Sequence, residues 1–213
     1  AGIAWMFATL YKESKVERYL DLAKRAVVYL QSIAVGDESG TLIPYLDNPK
    51  TGPTWDKYYL STCHGPVGTT LVFRMLYELT GEQEYLDWIK RLARGIIRAG
   101  APEKNSWGYW ASNCQCCGAP GVLEHFVSVY ELTGEEEFLE YAKRTADVLV
   151  GDSQLLDGKR RWMSAWNRPT PEVVKSFTGF YVGSAGGSSS LLKLYSALEN
   201  KPFTDIFEYI YFD

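Results

Sequence analysis

Apolar residues recur at helical spacing in two successive runs, Leu71, Met75, Leu76 and Leu79, then Tyr85, Ile89, Leu92 and Ile96. Residues three and four apart share one face of a helix, so each run predicts an amphipathic α-helix. Between the runs stands Thr80-Gly81, where glycine enters the left-handed conformation that ends a helix at no steric cost. Leu132-Thr133-Gly134 repeats that ending, while Ser14-Lys15 and Asn200-Lys201 take its place in the first and last units. The predicted element is an antiparallel helix pair, used several times over.

The repeat is visible when the chain is laid on itself at Gly2, Gly68, Gly121 and Gly186. Nine residues after each glycine comes a tyrosine: Tyr11, Tyr77, Tyr130 and Tyr195. Seventeen residues after each comes an aromatic, Tyr19, Tyr85, Phe138 and Phe203. In the first three units Lys24, Lys90 and Lys143 follow at offset twenty-two, each with an arginine behind it. The tyrosine and lysine stripes read as packing and as a solvated face. A helix pair of this kind cannot bury its apolar face alone and needs neighbouring pairs. The expected fold class is therefore all-α.

Candidate chemistry lies between the pairs. The connections 35–62, 100–113 and 151–182 are rich in Gly, Pro, Trp and Tyr, as functional loops often are. All four cysteines and one of the two histidines stand just upstream of a Gly-x-x-Gly turn, in Cys63-His64-Gly65-Pro66-Val67-Gly68 and in Cys114-Gln115-Cys116-Cys117-Gly118-Ala119-Pro120-Gly121. Each such turn opens the first helix of its pair, so in a closed ring of hairpins the residues before the turns face one central cleft. Cys63 and Cys116, 53 positions apart, would meet there. Thiolate and imidazole are natural ligands of zinc, which makes this cluster the leading candidate for function. A disulfide is disfavoured because Cys116 and Cys117 are adjacent and vicinal bridges are strained.

Composition narrows the classes. Hydrophobic residues make up 46% of the chain, enough for a core, and the net charge of −4 gives no sign of nucleic-acid affinity. No apolar run reaches the length of a membrane span and no secretory signal is visible, so the expected compartment is the cytoplasm. Four units, the last incomplete, do not readily close a ring, and Ala1-Gly2 already resembles the end of a Gly-x-x-Gly turn. The expectation is one domain over residues 1–213, the C-terminal part of a longer ring.

These residues resemble the lanthionine synthetase C-like (LanC-like) family, the cyclases that form thioether rings in lanthipeptides, and the resemblance covers all four units. It implies an α/α toroid in which one unit supplies a cysteine before its turn and the next supplies a pair, together holding a catalytic zinc ion, Zn2+. Matched turn to turn, the metal ligands are Cys63, Cys116 and Cys117. Cys117 stands where the family usually has histidine, as in the bifunctional lanthipeptide synthetases whose cyclase domain reads Cys-Cys-Gly. Thr62 replaces the tryptophan common before the first zinc cysteine. The family's catalytic histidine would lie before Ala1, and the last turn, Gly183-Ser184-Ala185-Gly186, carries no ligand. The implied partner is a dehydrated precursor peptide or a small thiol substrate, with an upstream dehydratase domain as a further partner.

The chemistry fits the residues. A free thiol is mostly protonated at neutral pH, and zinc with three protein ligands leaves a position where an incoming thiol loses its proton. Its attack on dehydroalanine or dehydrobutyrine gives an enolate that needs an acid. His64, next to a ligand, is the in-chain candidate for that catalytic role, or else it only orients the ligand. Cys114 as a fourth ligand would close the coordination sphere and make the metal structural. Glu124 and His125, in the first turn of the third pair, either line the cleft and help proton transfer or make a buried or rim hydrogen bond. Two other classes remain open. A ring with a cleft also suits a glycosidase, with Asp56 and Glu124 as its carboxylates, or a noncatalytic zinc-stabilised platform for a peptide or a glutathione-like thiol.

Overall fold

The computed structural model describes residues 1–45, 58–104, 112–164, 170 and 172–203. The fold is all-α: seven helices and two short β-hairpins among the described residues, as expected of helix pairs from an α/α toroid. They form two compact units, Ala1–Trp110 and Ala111–Asp213. The first holds α1 (Gly2–Ser14), α2 (Glu17–Ser32), β1 (Val35–Asp37), β2 (Gly40–Leu42), α3 (Pro66–Thr80) and α4 (Gln83–Arg98). The second holds α5 (Ala119–Thr133), α6 (Glu136–Gly151), β3 (Gln154–Leu156), β4 (Lys159–Arg161) and α7 (Ser184–Leu198).

The sequence registers correspond to repeated backbone interactions. The carbonyl of each stripe tyrosine accepts the N–H that closes its helix: Lys15 onto Tyr11, Gly81 onto Tyr77, Gly134 onto Tyr130 and Glu199 onto Tyr195. Gly81 and Gly134 take φ of 68° and 69°, and Lys15 takes the same left-handed conformation at 57°. The residue before each of these caps bridges the turn with its hydroxyl. Ser14, Thr80 and Thr133 donate to the carbonyls of Leu10, Leu76 and Val129, and accept the amides of Val16, Glu82 and Glu135. In the last unit the left-handed residue comes one position later, at Asn200 with φ 51°, and no hydroxyl is present at Leu198.

Within each unit the hairpins pack through aromatic and aliphatic faces. Phe7 stacks on Tyr19, and Phe73 packs on both Tyr85 and Trp88, with centroids 6.3, 6.4 and 5.6 Å apart. These phenylalanines stand five residues after their anchor glycines, a register shared by Phe126. α5 is buried from Ala119 to Val127 and at Val129, packed against α6 and α7. Its Phe126 joins Phe138, Leu139 and Leu149 of α6 in the core of the second unit. Burying each such side chain contributes on the order of 2 kcal/mol. The lysine stripe faces solvent, and Lys24 pairs with Glu82 at 2.5 Å while half exposed.

The long connections are not loops throughout. After α2 and again after α6 the chain makes a two-residue β-hairpin, β1–β2 and β3–β4. Asp157-Gly158, both at positive φ, is the turn chemistry a tight hairpin demands. β2 lies on α4 so closely that a side chain at Gly95 would collide with the Thr41 carbonyl. Trp162, just past β4, donates its indole N–H to the Leu149 carbonyl at 2.7 Å.

Because left-handed backbone costs a non-glycine residue about 1 kcal/mol, Lys15→Gly should stabilise the chain by roughly 0.5–1 kcal/mol. Urea denaturation measures it; an unchanged or lower midpoint would show that the cap is not strained.

Candidate metal centre

The Gly-x-x-Gly turns position the thiols by backbone contact. At Gly65, Gly68, Gly118, Gly183 and Gly186, a side chain would run into the carbonyl of the residue six places earlier: Tyr59, Thr62, Ser112, Phe177 and Phe180 respectively. The incoming loop therefore lies directly on the first turn of the helix it precedes, and only glycine allows that approach. Gly65, Gly118 and Gly183 are the helix N-caps, all in extended backbone that any residue adopts, so close packing rather than φ selects glycine there. The loops end alike: Gly65 N–H donates to the Ser61 carbonyl and Gly118 N–H to the Cys114 carbonyl, both at 2.9 Å. Position by position, Cys63 matches Cys116, His64 matches Cys117 and Ser61 matches Cys114.

In the first unit Cys63 and His64 are exposed on this turn. The His64 ring is met edge-on by Tyr45 and Tyr59, with centroids 4.6 and 5.5 Å away, and the two tyrosines touch each other at 4.8 Å. The imidazole beside Cys63 is thus held by aromatic faces.

In the second unit three thiols crowd one turn. Cys116 and Cys117 have their sulfurs 3.3 Å apart, and Cys114 Sγ lies 3.8 Å from Cys116 Sγ and 3.2 Å from the Ser112 hydroxyl. Cys114 is fully buried and Cys117 nearly so. Hydrogen bonds from the Cys116 and Cys117 thiols, with a smaller contribution from Ser112, hold the Cys114 thiol well below the usual thiol range. All four cysteines are reduced.

Cys63 in the first unit and Cys116 and Cys117 in the second can each offer one sulfur to a metal ion. Tetrahedral zinc with Zn–S bonds of about 2.3 Å sets its sulfurs roughly 3.8 Å apart, and the Cys116 and Cys117 sulfurs, 3.3 Å apart, come near that spacing. Cys114 is not one of these three.

Glu124 and His125 do not line an open cleft. Glu124 is 5% exposed and accepts a hydrogen bond from Gln115 Nε2 at 2.5 Å. His125 is equally buried, its ring tilted against Phe126, and its Nε2 has no hydrogen-bond partner among the described residues. Burial pushes its pKa down to about 3, and the Lys193 charge adds to the effect. The buried hydrogen bond is the role observed for Glu124. Asp56, the other carboxylate a glycosidase would need, lies outside the described residues.

Sequence reasoning missed the polar residues around the thiols. Gln115, Ser190 and Lys193 are all buried, and Tyr181 receives the Cys116 N–H on its carbonyl at 3.1 Å. Gln115 carried a signal, being a large polar residue between two cysteines, at the place where the other turns have Thr62 and Phe180.

With helices, turns and thiols in place, the class is defined by comparison. The family described as lanthionine synthetase C-like protein matches residues 1–208, and the chain belongs to that family. No curated protein matches the chain. Among solved structures it is similar to a family 76 glycoside hydrolase from a bovine Bacteroides thetaiotaomicron strain, at 19% identity and TM-score 0.50, over 93% of this chain and 41% of that one. A family 76 glycoside hydrolase (mannosidase) from Bacteroides thetaiotaomicron VPI-5482 is similar at 19% identity and TM-score 0.51, over 98% and 54% of the two chains. At that identity the likeness concerns the fold. The chain spans about half the length of these structures. No described helix is long and apolar enough to cross a membrane.

His125 gives the second unit a pH dependence. Its folded pKa lies below the ordinary value of 6.5, so the unfolded chain takes up the proton first and stability falls as pH drops from about 6.5 toward 3. Going from pH 7 to pH 5 should cost on the order of 2 kcal/mol through this residue. Denaturant titrations of wild type and His125→Leu should show a smaller acid loss in the variant; equal losses would contradict the assignment.

Proposed function

We propose that this chain carries the zinc site of a thioether-forming cyclase, which adds a cysteine thiol to dehydroalanine or dehydrobutyrine in a peptide. The observation that carries the reading is that Cys63, and Cys116 with Cys117, stand at equivalent places on two Gly-x-x-Gly turns of a LanC-like chain. Cys63, Cys116 and Cys117 would be the residues to hold a zinc ion, which would supply a fourth position able to lower the pKa of a substrate thiol.

The protein's own residues account for the rest. Three thiolates leave the site electron-rich, so the incoming sulfur keeps its nucleophilicity; a cysteine in the usual histidine position works in that direction. Cys117 is nearly buried within its unit, whereas Cys63 is exposed on its own turn, where a peptide has access to the thiol. Addition to the β-carbon places negative charge on the α-carbon and its carbonyl, and the reaction finishes when a proton arrives at the α-carbon. His64, clamped by Tyr45 and Tyr59 next to Cys63, is the residue of this chain proposed to hold that proton. The partner is a dehydrated precursor peptide or a small thiol substrate, delivered by a dehydratase domain or protein. Four reduced cysteines suit a reducing compartment such as the cytoplasm.

Metal analysis of the purified chain beside Cys63→Ala and Cys117→Ala tests the site. Wild type should carry about one zinc, and each variant, left with two thiolates, should lose most of it. Equal zinc in all three proteins would show that the metal, if any, is elsewhere. Activity is read by the free thiols of a dehydrated peptide incubated with the zinc-loaded protein, which should decline with wild type and persist with either variant. Persistence with zinc-loaded wild type would favour a binding platform.

A further inference from the structure

We infer that the last Gly-x-x-Gly turn, which offers no ligand of its own, is a bracket that holds the cysteine loop of the preceding hairpin in place. The inference rests on the zinc reading above and adds Gln115, Glu124 and Ser190 to it as positioning residues.

Gln115 separates Cys114 from Cys116, and its side chain points into the protein rather than toward solvent, leaving it 1% exposed. Its amide nitrogen donates to Glu124 Oε2 on α5 at 2.5 Å. Its amide oxygen lies 2.8 Å from the Ser190 hydroxyl on α7. That hydroxyl has one proton to give, and Gln115 is its nearest acceptor; Gly186 O and Glu124 Oε2 lie at 3.1 and 3.3 Å. Gly186, the second glycine of the last turn, abuts the Gln115 Cβ so closely that a side chain there would sit 2.9 Å from it. The next residue is held through its backbone, with Cys116 N–H on the Tyr181 carbonyl. Tyr181 occupies in its own turn the position that Cys116 occupies in the one before.

Two consecutive residues of the thiol loop are therefore tied to the last turn and the helix it opens, one by side chain and one by backbone. The register of α7 on α5 is fixed further along by Lys193, whose Nζ donates to Ser128 Oγ at 2.7 Å. Adjacent cysteines that both ligate one ion have little backbone slack, so a small shift of the loop misaims both sulfurs. A desolvated hydrogen bond to a carboxylate is among the stronger means of preventing that shift. Residues behind metal ligands commonly act in this way. The missing cysteine in the fourth unit is thus no loss of function: its turn supports the loop that does carry ligands.

The test uses Ser190→Ala, Gln115→Ala, Gln115→Glu and the reciprocal double variant Gln115→Glu/Glu124→Gln. The single Gln115→Glu sets two carboxylates face to face, and the double variant restores an amide–carboxylate pair with its ends exchanged. Two readouts are taken: alkylation of Cys117 in metal-free protein, followed by mass spectrometry, and zinc affinity by competition with a chelator. The bracket predicts Cys117 labelling about 10-fold faster in the three single variants. It predicts zinc affinity lowered roughly 10- to 100-fold. Cys63 labelling should not change, and the double variant should return most of the way to wild type. Wild-type Cys117 labelling in Ser190→Ala and Gln115→Ala would overturn the bracket, and if Gln115→Ala does not fold, Ser190→Ala decides. Faster labelling in a protein whose wild type holds no zinc would uphold the bracket and overturn the metal reading instead.

Discussion

The close approach of a loop carbonyl to a glycine in the first turn of a helix is the constraint on which the site depends. It occurs at Gly65 and Gly68 in the first unit and at Gly118, Gly183 and Gly186 in the second. Each contact fixes a loop at one height on its helix, and so fixes the residues two and one before the N-cap glycine. Cys63 and His64, and Cys116 and Cys117, are those residues. The thiols are therefore placed by main-chain packing, which does not depend on a metal being present.

The helical frame was legible in the sequence because it rests on short-range periodic signals. Tyrosines, aromatic residues and lysines in three parallel registers mark helices whose caps, turns and exposed faces recur in the structure. Lys15 illustrates how strong that signal is, since it takes the conformation of Gly81 and Gly134 without being glycine. The two β-hairpins were not foreseen. Their strands are three residues each, too short for an alternating pattern, although Asp157-Gly158 marks one of the turns. The cysteines could be chosen from their place before the turns, with a family resemblance to guide the choice. The buried network around them could not: Gln115, Glu124 and Ser190 meet across 75 positions of chain, and no local spacing reports it.

The second unit shows how polar residues are accommodated in a helical core. Glu124, Gln115 and Ser190 satisfy one another, and Lys193 reaches Ser128 and, at 4.0 Å, Glu131. His125 is the exception, neutral and with its Nε2 unpaired among the described residues, at a cost that buried polar groups ordinarily avoid. The fold is shared with family 76 glycoside hydrolases, and here Glu124 is buried and accepts the Gln115 amide. A shared helical scaffold does not fix the chemistry, and this chain is distinguished by the cysteines before its turns.

The central claim is that three protein sulfurs hold one zinc ion and leave a position open. X-ray absorption at the zinc edge of the purified, zinc-loaded chain measures it directly. The account predicts three sulfurs at about 2.3 Å and one lighter oxygen or nitrogen neighbour, which is replaced by a fourth sulfur when a thiol substrate is added. Four sulfurs in the substrate-free protein, or a shell of nitrogen and oxygen alone, would contradict it.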